Sequence, residues 1–155
     1  MLSKLIRSTL ASALLTLWSL TSQANEGVIT SIETRSQQLT ELSDLIWDLA
    51  EVGYLETRSS EALKSSLSAE GFSIESGVAD IPTAFVASYG SGEPVIAVMG
   101  EFDALPGISQ AAVPFEQKIE GKNAAQACGH HLFGAGSAGA AIAVKEWLER
   151  TGTPG

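Results

Sequence analysis

Pro94-Val95-Ile96-Ala97-Val98-Met99, running into Gly100-Glu101-Phe102-Asp103, is the stretch on which the fold turns. Six apolar residues without a polar interruption predict a strand buried on both faces, as in a sheet covered by helices. On its N-terminal side, Ile32, Leu39, Leu42, Leu45, Ile46 and Leu49 recur at helical spacing. They predict a helix from Val28 to about Val52, with Glu33, Arg35, Glu41, Asp44 and Asp48 on its wet face and Gly53 at its end. Arg58 to Ala69 reads as a second helix, with Ala62, Leu63 and Leu67 inward and Gly71 as its stop. Phe72–Val78 and Ala84–Tyr89 are short and strand-like. Gly90-Ser91-Gly92 is a turn, which predicts a hairpin between Ala84–Tyr89 and the apolar run that follows.

On the C-terminal side, Gly100 to Gln126 reads as a loop, and loops of that length are unusual unless functional. Leu132 to Arg150 reads as a helix. Its first half is nearly all Gly, Ala and Ser, which implies close contact with neighbouring backbone. Lys145, Glu146, Glu149 and Arg150 mark the outside of its second half, and Gly152 and Pro154 stop it. Helix, helix, strands, loop, helix is the order of an α/β sandwich. The chain stops at the turn where the next strand of such a pattern should begin, so we expect the N-terminal part of something longer.

The 155 residues carry a formal charge of −9, and no basic patch or aromatic stacking platform is visible, which argues against nucleic acid as a partner. Lys4 and Arg7 precede an uncharged run from Ser8 to Leu20, and Ser22-Gln23-Ala24 offers the small residues a signal peptidase reads. The run is short for a membrane span. Residues 1–24 are therefore expected to be a cleaved signal peptide, with an uncleaved anchor as the alternative, and residues 25–155 the exported part. Cleavage removes two positive charges and no acid, leaving −11. A periplasmic or secreted location follows, with no stable membrane insertion after cleavage. In an oxidising compartment the one cysteine, Cys128, has no internal disulfide partner. It must be buried, paired between chains, or bound to metal.

Ala127-Cys128-Gly129-His130-His131 holds that cysteine and both histidines of the chain. A thiolate and imidazoles this close suit zinc, manganese or iron, and Cys128 and His130 could reach one ion from a turn. The alternative is a buried thiol beside two histidines at a helix start. Directly after the apolar run, a period of two puts Glu101 and Asp103 on one face. There they could ligate a hard cation or orient a histidine ligand, or else form a solvated acidic turn. Gly134-Ala135-Gly136-Ser137-Ala138-Gly139 matches the dinucleotide pattern G-x-G-x-x-G. That pattern needs a buried strand immediately before its first glycine, and Cys128 to Phe133 make a poor one. Small residues for helix packing explain these glycines better.

Glu101-Phe102-Asp103-Ala104-Leu105-Pro106-Gly107, then Ala127-Cys128-Gly129-His130-His131 and a Gly/Ala-rich helix, resembles the aminoacylase/carboxypeptidase family of metal-dependent amidohydrolases, in its aminobenzoyl-glutamate hydrolase-type branch. The likeness runs from about Leu39 to Gly155. It implies the N-terminal part of a three-layer, mixed-sheet α/β metallohydrolase domain. It also implies a divalent metal, zinc or manganese, with two ions in the complete enzyme, and cleavage of the amide of an N-acyl amino acid, aminobenzoyl-glutamate or a dipeptide. The family's Cys-Gly-His ligands fall on Cys128 and His130, and its supporting aspartate on Asp103. Glu101 takes a position held in relatives by a metal-binding histidine or an acidic residue. His131 stands where relatives commonly have Asp or Asn, and is an extra or alternative ligand at most. Relatives further carry a glutamate pair that includes the general base, a later histidine, and an inserted lid domain that often dimerises. None of these precedes Gly155, so this chain alone is expected to be inactive. Readings of another class are a non-catalytic binding or assembly module with a structural cysteine, and the less favoured dinucleotide-binding oxidoreductase.

Overall fold

Leu42 and Ile46 lie one helical turn apart and are both buried, which seats the first long helix on the core. In the computed structural model, which describes residues 26–155, a helical segment at 26–34 leads through a turn at Arg35 into α1, Ser36–Leu49. The expected signal segment, residues 1–24, lies outside the described residues. α2 spans Thr57–Ala69 and contributes Leu63 and Leu67. α3 spans His130–Thr151, contributes Ala135, Ala138 and Ile142, and ends at Gly152 in the left-handed conformation glycine favours. These residues and Phe72 form one apolar cluster, with Phe85 and Phe102 packed against it.

β1, Ser73–Ser76, pairs antiparallel with β2, Phe85–Ser88, with Ser73 opposite Ser88 and Ser76 opposite Phe85. A turn at Val78–Asp80, with Ala79 and Asp80 at positive φ, lies between them. β3, Leu105–Pro106, pairs antiparallel with β4, Ala124–Ala125, inside the long stretch read as loop. Among the described residues the architecture is thus the helical segment at 26–34, the helices α1 to α3 and two small antiparallel sheets, compatible with α/β.

Two expectations about strands are corrected. The hairpin across Gly90-Ser91-Gly92 does not form: β2 pairs with β1 along one edge, and its other edge takes no described partner. Pro94–Met99 is not a doubly buried strand here. No described segment pairs with it along either edge, and Val95, Ile96 and Met99 are 80%, 76% and 73% exposed. An extended apolar run gains burial only from neighbours on its edges and faces, and the described residues supply one flank alone. On that flank Ser137 Oγ donates to the Met99 carbonyl, and a Cβ at Gly100 would lie 3.2 Å from Ser137 Cβ.

Arg35 also departs from its expected place on the wet face. Its guanidinium pairs with Glu146 and lies 3.4 Å from Glu70, which ties the start of α1 to α3 and to the end of α2. Lys145 adds a contact of 3.6 Å to the same Glu70 carboxylate.

The small residues of α3 have the packing role their composition suggests. A Cβ at Gly134 would stand 2.9 Å from the Glu101 carbonyl oxygen, and one at Gly139 only 2.7 Å from Leu39 Cδ1. Gly134 to Gly139 lie inside a continuous helix, past its first turn, and not at a strand-to-helix turn. They bring α3 against α1 and against the Gly100–Phe102 backbone, which carries the acidic residues of the candidate site.

Candidate metal centre

Glu51 does two jobs that place the acidic segment. Its carboxylate accepts from Ser59 N and Ser59 Oγ, both at 2.8 Å, and from Arg58 N at 3.2 Å, which satisfies free N–H groups at the start of α2. Burial pushes its carboxyl up, but these hydrogen bonds and the Arg58 charge outweigh that and hold it below the usual range. Its carbonyl meanwhile accepts from Ala104 N at 2.7 Å, within a parallel bridge between Val52 and Ala104. Ala104 is buried. The residue immediately before it, Asp103, is thereby fixed against the α1–α2 connection.

The facing half comes from the turn into α3. Gly129 N donates to the Gln126 carbonyl at 3.1 Å and closes a four-residue turn, with Gly129 at φ 81°. Cys128 rides on that turn and is exposed. His130 opens the helix. Its Nδ1 lies 2.8 Å from Asp103 Oδ1, and its Nε2 lies 3.0 Å from Glu101 Oε2. Glu101 and Asp103 thus reach the same ring, as a period of two along an extended backbone allows.

A neutral imidazole has one N–H and one lone pair. With the proton on Nδ1 and donated to Asp103, Nε2 offers its lone pair towards a carboxylate oxygen. Two acceptors at 3.0 Å call for a cation between them, either a second proton or a metal ion. A histidine held through its other nitrogen by a carboxylate is also the usual support of a histidine ligand. The donor chemistry of Glu101 and His130, with Asp103 behind, therefore fits a divalent ion. The set is incomplete, because among the described residues no group of three or more Cys, His, Asp and Glu side chains is arranged to hold an ion by itself, and Asp103 is spent on the His130 ring.

Of the five residues singled out from the sequence, the fold brings Glu101, Asp103 and His130 together. Cys128 sits on the adjoining turn with its thiol exposed, unlike the buried thiol of the structural alternative. His131 is placed differently. It is buried, its ring stands edge-on to Trp47 with centroids 5.0 Å apart, and its Nδ1 has no hydrogen-bond partner. Burial pushes its pKa down, partly offset by the Asp44 charge. Trp47 and Gln126 are the residues that sequence reasoning did not reach. Trp47 is far from His131 in sequence and only the fold brings it there, while Gln126 directly precedes the Ala127–His131 segment but nothing in its residue type marks a buried, doubly bonded amide. An open cleft lined by Leu49, Ala50, Val52, Leu55 and Ala124 includes none of the candidate ligands.

Over 127 residues, this chain is 45% identical to a p-aminobenzoyl-glutamate hydrolase subunit from Escherichia coli (strain K12). The chain is thus similar to a component of an aminobenzoyl-glutamate hydrolase. The match covers 81% of this chain and 26% of that protein, so the chain spans about a quarter of the length of its curated relative. No family model matches the chain. A likeness of that length extends over most of the described residues and so reaches well beyond two short motifs.

Proposed function

We propose that this chain carries part of the metal site of a metal-dependent amidohydrolase, which cleaves the amide of p-aminobenzoyl-glutamate or a related N-acyl amino acid or dipeptide. The observation that carries this reading is the His130 ring held between Asp103 and Glu101 on a chain 45% identical to a known hydrolase component. His130 as neutral imidazole and Cys128 as thiolate are the proposed ligands, with Glu101 as a further donor. Asp103 holds the His130 tautomer that leaves Nε2 free to bind. His131, packed on Trp47, serves the fold. Zinc or manganese, two ions in the complete enzyme, would polarise the scissile carbonyl and lower the pKa of water. The general base, the remaining ligands and a dimerising lid domain belong to other parts of a three-layer α/β enzyme, so these residues alone are proposed to be inactive. The enzyme is proposed to act in the periplasm or outside the cell.

The test uses the complete protein carrying this chain, assayed for bound metal and for release of p-aminobenzoate. Cys128→Ser and His130→Ala should each lower metal content and hydrolysis, because a hydroxyl or a methyl is a far poorer donor. A Cys128→Ser protein with full metal stoichiometry and full turnover would refute the ligand assignment. The exposed thiol should also be alkylated faster after chelation than with zinc bound.

A further inference from the structure

Gln126 is 3% exposed, yet it is a polar side chain with both ends of its amide used. Its Nε2 donates to the Phe102 carbonyl at 3.1 Å, and its Oε1 accepts from His131 N at 3.2 Å. Phe102 lies between Glu101 and Asp103 in the chain, and His131 directly follows His130. The Gln126 carbonyl, in turn, closes the turn that carries Cys128. The amide orientation follows from its partners, since the reverse would set carbonyl against carbonyl and N–H against N–H.

We infer that Gln126 is the positioning residue of the candidate metal centre, setting the distance between its acidic strand-like half and its Cys128–His130 half. This inference rests on the metal reading proposed above. Two short covalent paths lead from this one amide to the groups that must converge: through Phe102 to Glu101 and Asp103, and through His131 to His130. A metal site tolerates little displacement of its ligands, and a buried amide that cannot find other partners resists such displacement. No other described side chain bonds both segments at the backbone; Asp103 and Glu101 reach His130 only through the site itself.

The experiment is a Co2+ titration of the complete protein in wild-type form and as Gln126→Met and Gln126→Glu. It is followed by the thiolate-to-cobalt absorption of Cys128, with circular dichroism and thermal melting to establish folding. Gln126→Met keeps the side-chain length and removes both hydrogen bonds. It should remain folded, bind Co2+ about 10–100-fold more weakly, and lose part of the thiolate band. Gln126→Glu keeps the acceptor for His131 N and should fall between the two; if Gln126→Met does not fold, the same loss in folded Gln126→Glu supports the inference. A folded Gln126→Met with wild-type cobalt affinity and band overturns it, as does Gln126→Glu with wild-type values where Gln126→Met fails to fold. A wild type that binds no cobalt overturns the metal reading itself, and this inference with it.

Discussion

Asp103 Oδ1 lies 2.8 Å from His130 Nδ1, across an interval of 27 residues in sequence. The contact makes one imidazole nitrogen a held donor and leaves the other to face Glu101. Asp103→Ala should therefore weaken divalent-metal binding by about 10–100-fold while leaving the fold intact. His131→Ala should do the reverse, costing roughly 1–3 kcal/mol of stability through the lost contact with Trp47 and changing metal affinity little. Calorimetric metal titration and urea unfolding of both variants of the complete protein check the contrast. Equal losses of metal affinity would place His131 among the ligands.

Gly134 and Gly136 should respond oppositely to the same substitution. A methyl at Gly134 meets the Glu101 carbonyl at 2.9 Å, which is backbone and can yield only by shifting the acidic segment. Gly134→Ala should cost about 1–3 kcal/mol. A methyl at Gly136 meets nothing within 4 Å inside the same helix, so Gly136→Ala should stabilise by up to about 1 kcal/mol. Paired urea melts decide, and a stabilising Gly134→Ala would refute the close approach of α3 to Glu101.

Glu51 gives a pH-dependent signature. The folded chain holds its carboxyl below the unfolded value of roughly 4.3, so the unfolded state takes up the proton first. Its contribution is therefore full above that value and is lost as pH falls through the folded one. Glu51→Gln should be less stable by about 1 kcal/mol at pH 7, the usual worth of a helix cap. The difference should shrink steadily below about pH 4. Denaturant melts of both forms at several pH values test this, and a gap that widens in acid would contradict it.

Export should leave Asn25 as the first residue, given Lys4, Arg7, the uncharged run to Leu20 and Ser22-Gln23-Ala24. N-terminal sequencing of the protein from the cell envelope or the medium reads this directly. Recovery with Met1 intact would reject cleavage.

The helices were legible because their evidence is local. The recurrence of Leu42 and Ile46 marks α1, Gly71 follows the end of α2, and Gly152 closes α3 as its position in the sequence suggests. The candidate site was legible in part for the same reason: Glu101 and Asp103 stand two apart, and Cys128 and His130 share a short turn. The sequence alone determined which residue types were available to a metal and which segment would pack most tightly, the Gly/Ala half of α3. The tertiary structure alone decided which partners they took. β2 pairs with β1 along one edge and takes no described partner along the other, which strand propensity does not decide. Pro94–Met99 has the composition of a buried strand, but burial is a property of what surrounds a segment, and no described segment pairs with it along either edge. His130 and His131 are chemically identical and adjacent, yet successive helical residues project about 100° apart. One ring therefore meets two carboxylates, while the other is buried against Trp47.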